Sequence, residues 1–347
     1  MLRNSPVALA RHAGEFAFAI LGFLAGISSL VLAGCATTET FYNTNRGLDT
    51  VSVISRATLR VTDSISVGHR PVGIVTNNQR TYAYAANSGS DTVSVISTAN
   101  DRVVATIAVG ARPFSLDVNP AGTLLFVANA EGNTVSVIDT AANVVSATVV
   151  VGEGPTGVAV NPAGTLVYVA NQIANTVSVI SIATNTVIAS IPVGKRPMAL
   201  VVNGSGTRVY VVNSGSDTMS TIDTALNDVV ATVDVGKWPI GLAIDPSDRL
   251  IYTANQRSNS VSVISAATNS VTATVAVAEG PTGILVNPAG TIVYVVNMFT
   301  DAVSLISTAT NTVKTTIREG ATLIVKSDDA ERRLQDGADK ATNARRI

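Results

Sequence analysis

Six pairs of residues share one repeated position in this chain yet differ sharply in charge: His69-Arg70, Ala111-Arg112, Glu153-Gly154, Lys195-Arg196, Lys237-Trp238 and Glu279-Gly280. Five of these twelve residues are Lys or Arg, two are Glu, and one is the only tryptophan. Guanidinium and ammonium groups donate charge-assisted hydrogen bonds to carboxylate, sulfate or phosphate oxygens, and Arg and Trp are the side chains that most often carry binding energy. His69, Arg70, Arg112, Lys195, Arg196, Lys237 and Trp238 are therefore the candidate ligand-binding residues. The same set suggests a second chemistry, hydrolase or lyase in type, with His69 as acid or base and Arg70, Arg112 or Arg196 stabilising an anion. Against it, one His and two Glu stand in separate repeats with no nucleophile elbow and no triad, so no catalytic residue is assigned.

Other chemistries are narrowed by what the chain carries. Cys35 is the only cysteine, which rules out an intrachain disulfide and a Cys-based metal cluster. His12 and His69 are the only histidines, too few for a multi-histidine zinc site once the leader carrying His12 is removed. A redox role beside a haem is the weakest reading, since one histidine remains and no cysteine is free for attachment. No metal or cofactor is assigned. The formal net charge of -1 offers no overall field to nucleic acid, which is not expected as a partner.

These pairs are positioned by an internal repeat. Asn45, Asn87, Asn129, Asn171, Asn213, Asn255 and Asn297 follow one another at intervals of 42 residues. A glycine marks the same unit at Gly68, Gly110, Gly152, Gly194, Gly236 and Gly320, with Ala278 the exception. Proline follows three residues later at Pro71, Pro113, Pro155, Pro197, Pro239 and Pro281, with Leu323 in the last unit. One unit divides into four β-rich runs, at 155–160, 166–170, 176–180 and 187–193, with Asn161-Pro162-Ala163-Gly164 as a turn after the first. Four short antiparallel strands per 42 residues predict an all-β, seven-bladed β-propeller. In Val177-Ser178-Val179-Ile180 neither face is simply polar, so both need cover, which neighbouring blades supply. In such a ring the variable pairs lead into the innermost strands and surround one mouth of the central channel.

The asparagines read as structural, each ending a strand where a repeated turn needs a residue that bonds its own backbone and tolerates left-handed geometry. Asp49, Asp91, Asp217 and Asp301 alternate with Asn133, Asn175 and Asn259 four residues later, which favours turn bonding over calcium binding.

The ends of the chain carry separate signals. Arg3 and Arg11 precede an uncharged stretch from 16 to 32, and Leu32-Ala33-Gly34-Cys35 resembles a bacterial lipobox. That resemblance implies cleavage before Cys35, its lipidation, and attachment to a membrane without crossing it. Ala36, standing where an Asp would resemble an inner-membrane retention signal, points to the outer membrane of a Gram-negative cell. The expected domains are a signal peptide 1–34, a lipidated linker 35–40, the propeller 41–327 and a polar tail 328–347. Runs at 41–45, 51–54 and 61–67 give the first blade only three strands, and residues 321–326 align with the missing innermost one. Closure of the ring by that C-terminal strand is the expectation, in a monomer.

Tyr168-Val169-Ala170-Asn171, Tyr210-Val211-Val212-Asn213 and Tyr294-Val295-Val296-Asn297 resemble the tetrapeptide that names the YVTN family of propeller repeats, over roughly residues 41–326. The resemblance implies a secreted or surface-associated propeller, as in archaeal surface layers. Similar propellers occur in lactonases, streptogramin lyases and the haem domain of nitrite reductase, so the fold does not select an activity. The residues favour a non-catalytic binding scaffold at the cell envelope, with an anionic glycan or a protein as partner at the basic rim.

Overall fold

The computed structural model describes residues 31–33, 40–55, 61–77, 79–287, 289–300 and 302–318. It contains seven four-stranded antiparallel sheets arranged in a ring, spanning 31–66, 71–108, 113–150, 155–192, 197–234, 239–276 and 281–318, here blades 1 to 7. Within each blade the strands pair in chain order. In blade 4 they are Pro155–Val160, Leu166–Asn171, Thr176–Ser181 and Thr186–Pro192, so the outermost strand starts and ends one residue earlier than the sequence pattern suggests.

Burial follows the position of a strand in its blade. The two middle strands are covered on both faces, with Val177, Ser178, Val179 and Ile180 all buried. The outermost strand of blade 4 is mostly exposed, with only Ala189 and Ile191 covered. At the centre of every second strand stands an aromatic residue at the 42-residue interval: Tyr42, Tyr84, Phe126, Tyr168, Tyr210, Tyr252 and Tyr294, each buried. Burying one such ring contributes about 2–3 kcal/mol, repeated in every blade. Between the third and outermost strands the register slips at one repeated place, as between Val179 and Ile180. That extra residue increases the right-handed twist of the blade.

The conserved geometry of the repeat centres on its asparagines, but they are not turn residues. Asn171 Nδ2 donates to Thr176 Oγ1 at 3.0 Å and to Ser178 Oγ at 2.9 Å, tying the second strand to the third. Asn87 and Asn129 repeat both bonds. The left-handed position lies four residues on, at Asp49, Asp91, Asn133, Asn175, Asp217 and Asn259. The glycine marker follows from the same network. A Cβ on Gly152 would lie 2.7 Å from the Asn171 amide carbon, and one on Gly236 would lie 2.6 Å from that of Asn255.

Blade 1 differs from the sequence expectation at its inner edge. Val31–Ala33 pairs antiparallel with Thr40–Asn45, with Val31 opposite Tyr42 and Ala33 opposite Thr40. This strand comes from inside the segment read as a signal peptide and stands where residues 321–326 were expected. An apolar triplet only six residues from its partner closes a short loop at little entropic cost. Residues 321–326, Cys35 and the tail 328–347 lie outside the described residues.

Candidate functional site

The connections between blades and the loops joining second to third strands meet on one face, around the mouth of the channel. There the residue before each proline takes left-handed backbone: Arg70 (φ 52°), Arg112 (54°), Arg196 (54°) and Trp238 (55°), with Gly154 (67°) and Gly280 (69°) in the other two blades. Glycine adopts this conformation freely, whereas a side chain costs about 1 kcal/mol there, and proline in the next position disfavours it further. Each is held by the preceding blade. The N–H groups of Arg70, Arg112 and Trp238 donate to Asp49, Asp91 and Asp217 at 2.7–2.8 Å, and that of Arg196 to Asn175 at 2.8 Å. The alternating Asp and Asn residues are thus struts between blades.

A second position, nineteen residues on, complements the first. Gly89 and Gly215 leave room beside Arg70 and Arg196: a Cβ on Gly215 would lie 2.9 Å from Arg196 Cγ. Where the first position is Gly154 or Gly280, Ile173 and Phe299 occupy the space, and they remain 58% and 48% exposed. Glu131 pairs with Arg112 at 2.8 Å. Arg257 lies 4.1 Å from the centre of the Trp238 ring, and Arg196 lies 5.0 Å from it. The indole is partly buried against the apolar cluster containing Met198, Tyr210 and Ile240, so the stack has a fixed base. Stacking on an aromatic ring holds a guanidinium plane while its N–H edge remains able to bind oxygens.

The sequence-selected residues separate into two groups. Lys195, Arg196, Lys237 and Trp238 gather with Arg257 across blades 5 and 6. Lys237 donates to Asp217 at 2.9 Å, and the bond and charge of that carboxylate raise its pKa. His69, Arg70 and Arg112 gather across blades 1 to 3. His69 Nδ1 lies 2.7 Å from Asp49 Oδ2, and Asp49 is held below the usual carboxylate range by the Arg70 N–H and then by His69.

Three residues escaped the sequence reading. Arg46 lines the same hollow as Asp49, His69 and Arg70. Burial and then the like charges of Arg70 and Arg112 hold its guanidinium below the ordinary value. Arg257 is the second. The third, Asp117, lies deeper, in a cavity of about 260 Å³ lined by the innermost strands. The equivalent residues are Val75, Ala159, Val201, Ala243 and Leu285, so a comparison of repeats could have singled it out. Its carboxylate accepts the Val160 N–H at 2.8 Å and the Val118 N–H at 2.9 Å. Desolvation outweighs both bonds and pushes its pKa up to about 6. Among the described residues, no three His, Cys, Asp or Glu side chains come together as metal ligands.

The fold and this basic face define a seven-bladed β-propeller with a charged mouth. A family model described as a YNCE-like beta-propeller matches residues 154–261. No curated protein matches the chain. Among solved structures, Kuenenia stuttgartiensis Hydrazine Synthase is similar with a TM-score of 0.71 at 21% identity, over 82% of this chain and 96% of that one. A functionally unknown protein from Desulfotomaculum acetoxidans DSM 771 gives a TM-score of 0.68 at 15% identity, over 82% and 98%. At these identities the likeness concerns the fold.

Proposed function

We propose that this chain is a lipid-anchored protein of the cell envelope whose propeller is a non-catalytic scaffold for an anionic polysaccharide, bound across the basic face. The observation that carries this reading is the Arg196–Trp238–Arg257 stack, a preorganised pair of guanidiniums beside Lys195 and Lys237. Four blades also keep a large side chain where the backbone favours glycine, and such strain accumulates where side chains have a use. Exposed Ile173 and Phe299 add apolar contact between the charges, suited to sugar-ring faces. The anchor rests on Leu32-Ala33-Gly34-Cys35, with the outer membrane as the location.

The test is binding of heparin, as a polyanion probe, at increasing salt. Affinity should fall steeply with ionic strength and at least tenfold in Arg196→Ala/Arg257→Ala. Equal affinity in that variant removes the face from the reading. A second reading, hydrolytic, is favoured only by the His69–Asp49 pair, which orients the imidazole as a base would need. His69 is 75% exposed, however, and Ser90 Oγ is engaged by the His69 main-chain N–H at 3.1 Å. Loss of a lactone-cleaving activity in His69→Ala would establish that reading in place of the first.

A further inference from the structure

The cavity between the innermost strands holds one charged group that the basic face does not use. Its walls are apolar at Phe114, Val158, Met198 and Leu200, and among the described residues around it Asp117 alone is ionisable. Asp117 is the fifth residue of the strand Pro113–Val118, about 13 Å along it from the basic mouth, and the turn at 119–122 follows on the opposite face. It therefore stands toward the other end of the channel, with part of its surface open to the cavity.

The protein leaves this carboxylate incompletely bonded. Oδ2 accepts the Val160 N–H of the next blade and Oδ1 accepts the Val118 N–H, which uses two of about four lone pairs. Among the described residues no Lys, Arg, His, Asn, Gln, Tyr or Trp lines the cavity to engage the others. The Thr156 hydroxyl faces the carbonyls of Ala170, Pro197 and Met198, and that of Thr282 donates to the Val296 carbonyl. Bridging two blades does not by itself call for an acid, since the equivalent joints of the ring carry Val75, Ala159, Val201 and Ala243 in its place.

We propose that this cavity binds a small primary amine with an apolar body, its ammonium on Asp117 and its hydrocarbon against the surrounding walls. The volume, about 260 Å³, is many times the roughly 10–15 Å³ that one water requires, so a ligand of several heavy atoms has room. An ammonium is compact and carries three donors, two for the free lone pairs of Asp117 and one for Ser115, which lines the cavity two residues earlier on the same side of the strand. A bare calcium ion needs several oxygen ligands, and the cavity offers one carboxylate. Burial of hydrocarbon supplies the affinity and the carboxylate the selection, because a buried ion pair does little more than offset its own desolvation. The site stands apart from the basic face and does not depend on the polysaccharide reading.

Isothermal titration and thermal melting at pH 8 with cyclohexylamine, its neutral isostere cyclohexanol, methylamine and calcium test the site. Cyclohexylamine should raise Tm and bind about tenfold or more tightly than cyclohexanol or methylamine, and calcium should leave Tm unchanged. Asp117→Asn should lose about tenfold or more of the amine affinity and keep that for cyclohexanol. Ala159→Leu, which sets into the cavity the side chain that blade 7 carries at Leu285, should lose both ligands with Asp117 intact. Equal binding of amine and alcohol, full amine affinity in Asp117→Asn, unchanged binding in Ala159→Leu, or a calcium-dependent rise in Tm that Asp117→Asn abolishes each overturns the proposal. If Asp117→Asn fails to fold, the amine and alcohol affinities of wild type and Ala159→Leu decide.

Discussion

The Arg257 guanidinium lies 4.1 Å from the centre of the Trp238 ring, and the backbone that presents this indole is left-handed, at φ 55°. The fold therefore tolerates a conformation at Trp238 that Gly154 and Gly280 adopt without strain. Substitution by glycine separates two contributions. Arg70 is exposed, so Arg70→Gly relieves about 1 kcal/mol of backbone strain and gives up a similar amount to the more flexible unfolded chain. Its stability should stay within about 1 kcal/mol of wild type. Trp238→Gly loses the packing against Met198 and Ile240 and should be destabilised by about 2–4 kcal/mol in urea unfolding. A large loss at Arg70 would show that its side chain holds the fold and does not serve a ligand.

The glycine marker and the Asn network make a second, coupled expectation. Gly236→Ala would set a Cβ 2.6 Å from the Asn255 amide and should cost about 1–3 kcal/mol. Blade 7 already carries Ala278 there, and Asn297 instead donates to the Val295 and Ala302 carbonyls, both at 3.2 Å, while keeping Ser304. Ala302 stands where blade 6 has Ser260, which Asn255 contacts at 3.3 Å. Adding Ser260→Ala should recover part of the loss, read as a coupling in a double-mutant cycle. Strict additivity would disprove the link.

Asp117 should make stability depend on pH. Its folded-state pKa, about 6, lies above the ordinary 3.8, so the native state binds the proton more tightly than the unfolded chain. The stabilisation from its protonated form is therefore present below about pH 4 and lost as pH rises through 6, amounting to roughly 3 kcal/mol at 1.36 kcal/mol per pH unit. The Tm of Asp117→Asn relative to wild type should climb between pH 4 and pH 7.5. A difference that stays flat with pH would mean that the two N–H bonds outweigh desolvation.

Cleavage before Cys35 would remove Val31–Ala33 and leave the edge of Thr40–Asn45 bare, an invitation to aggregation. The repeat aligns residues 321–326 with that vacancy. A chain of residues 35–347 should then fold as a monomer, and one of 35–320 should melt lower and aggregate, as judged by light scattering. Equal behaviour of the two would mean that the C-terminal segment closes nothing.

Much of the architecture was readable before any coordinates. Seven asparagines at one interval define the blades, and prolines mark where the innermost strands of blades 2 to 7 begin, because hydrophobic alternation and turn residues act locally. The reason for the glycines was not readable: on Gly68, Gly110, Gly152, Gly194 and Gly236 an amide packs from the following second strand, nineteen residues later. The variable pairs read from the sequence as one ring around the channel mouth. In the structure they fall into two groups, joined by Arg257 from a loop 19 residues after Trp238 and by Arg46 from a loop 24 residues before Arg70, spacings that carry no helical or strand periodicity.

The sequence by itself determined the number of blades, the order of their strands and the loops that carry charge, since each follows from the repeat and its turn residues. Only the tertiary structure decided which charges meet. Arg196 stands 42 residues before Trp238 and 61 before Arg257, yet both guanidiniums lie over one ring. Contacts of that kind arise when blades pack around an axis, and like charges are held together there by hydrophobic burial and inter-blade struts rather than by their own attraction.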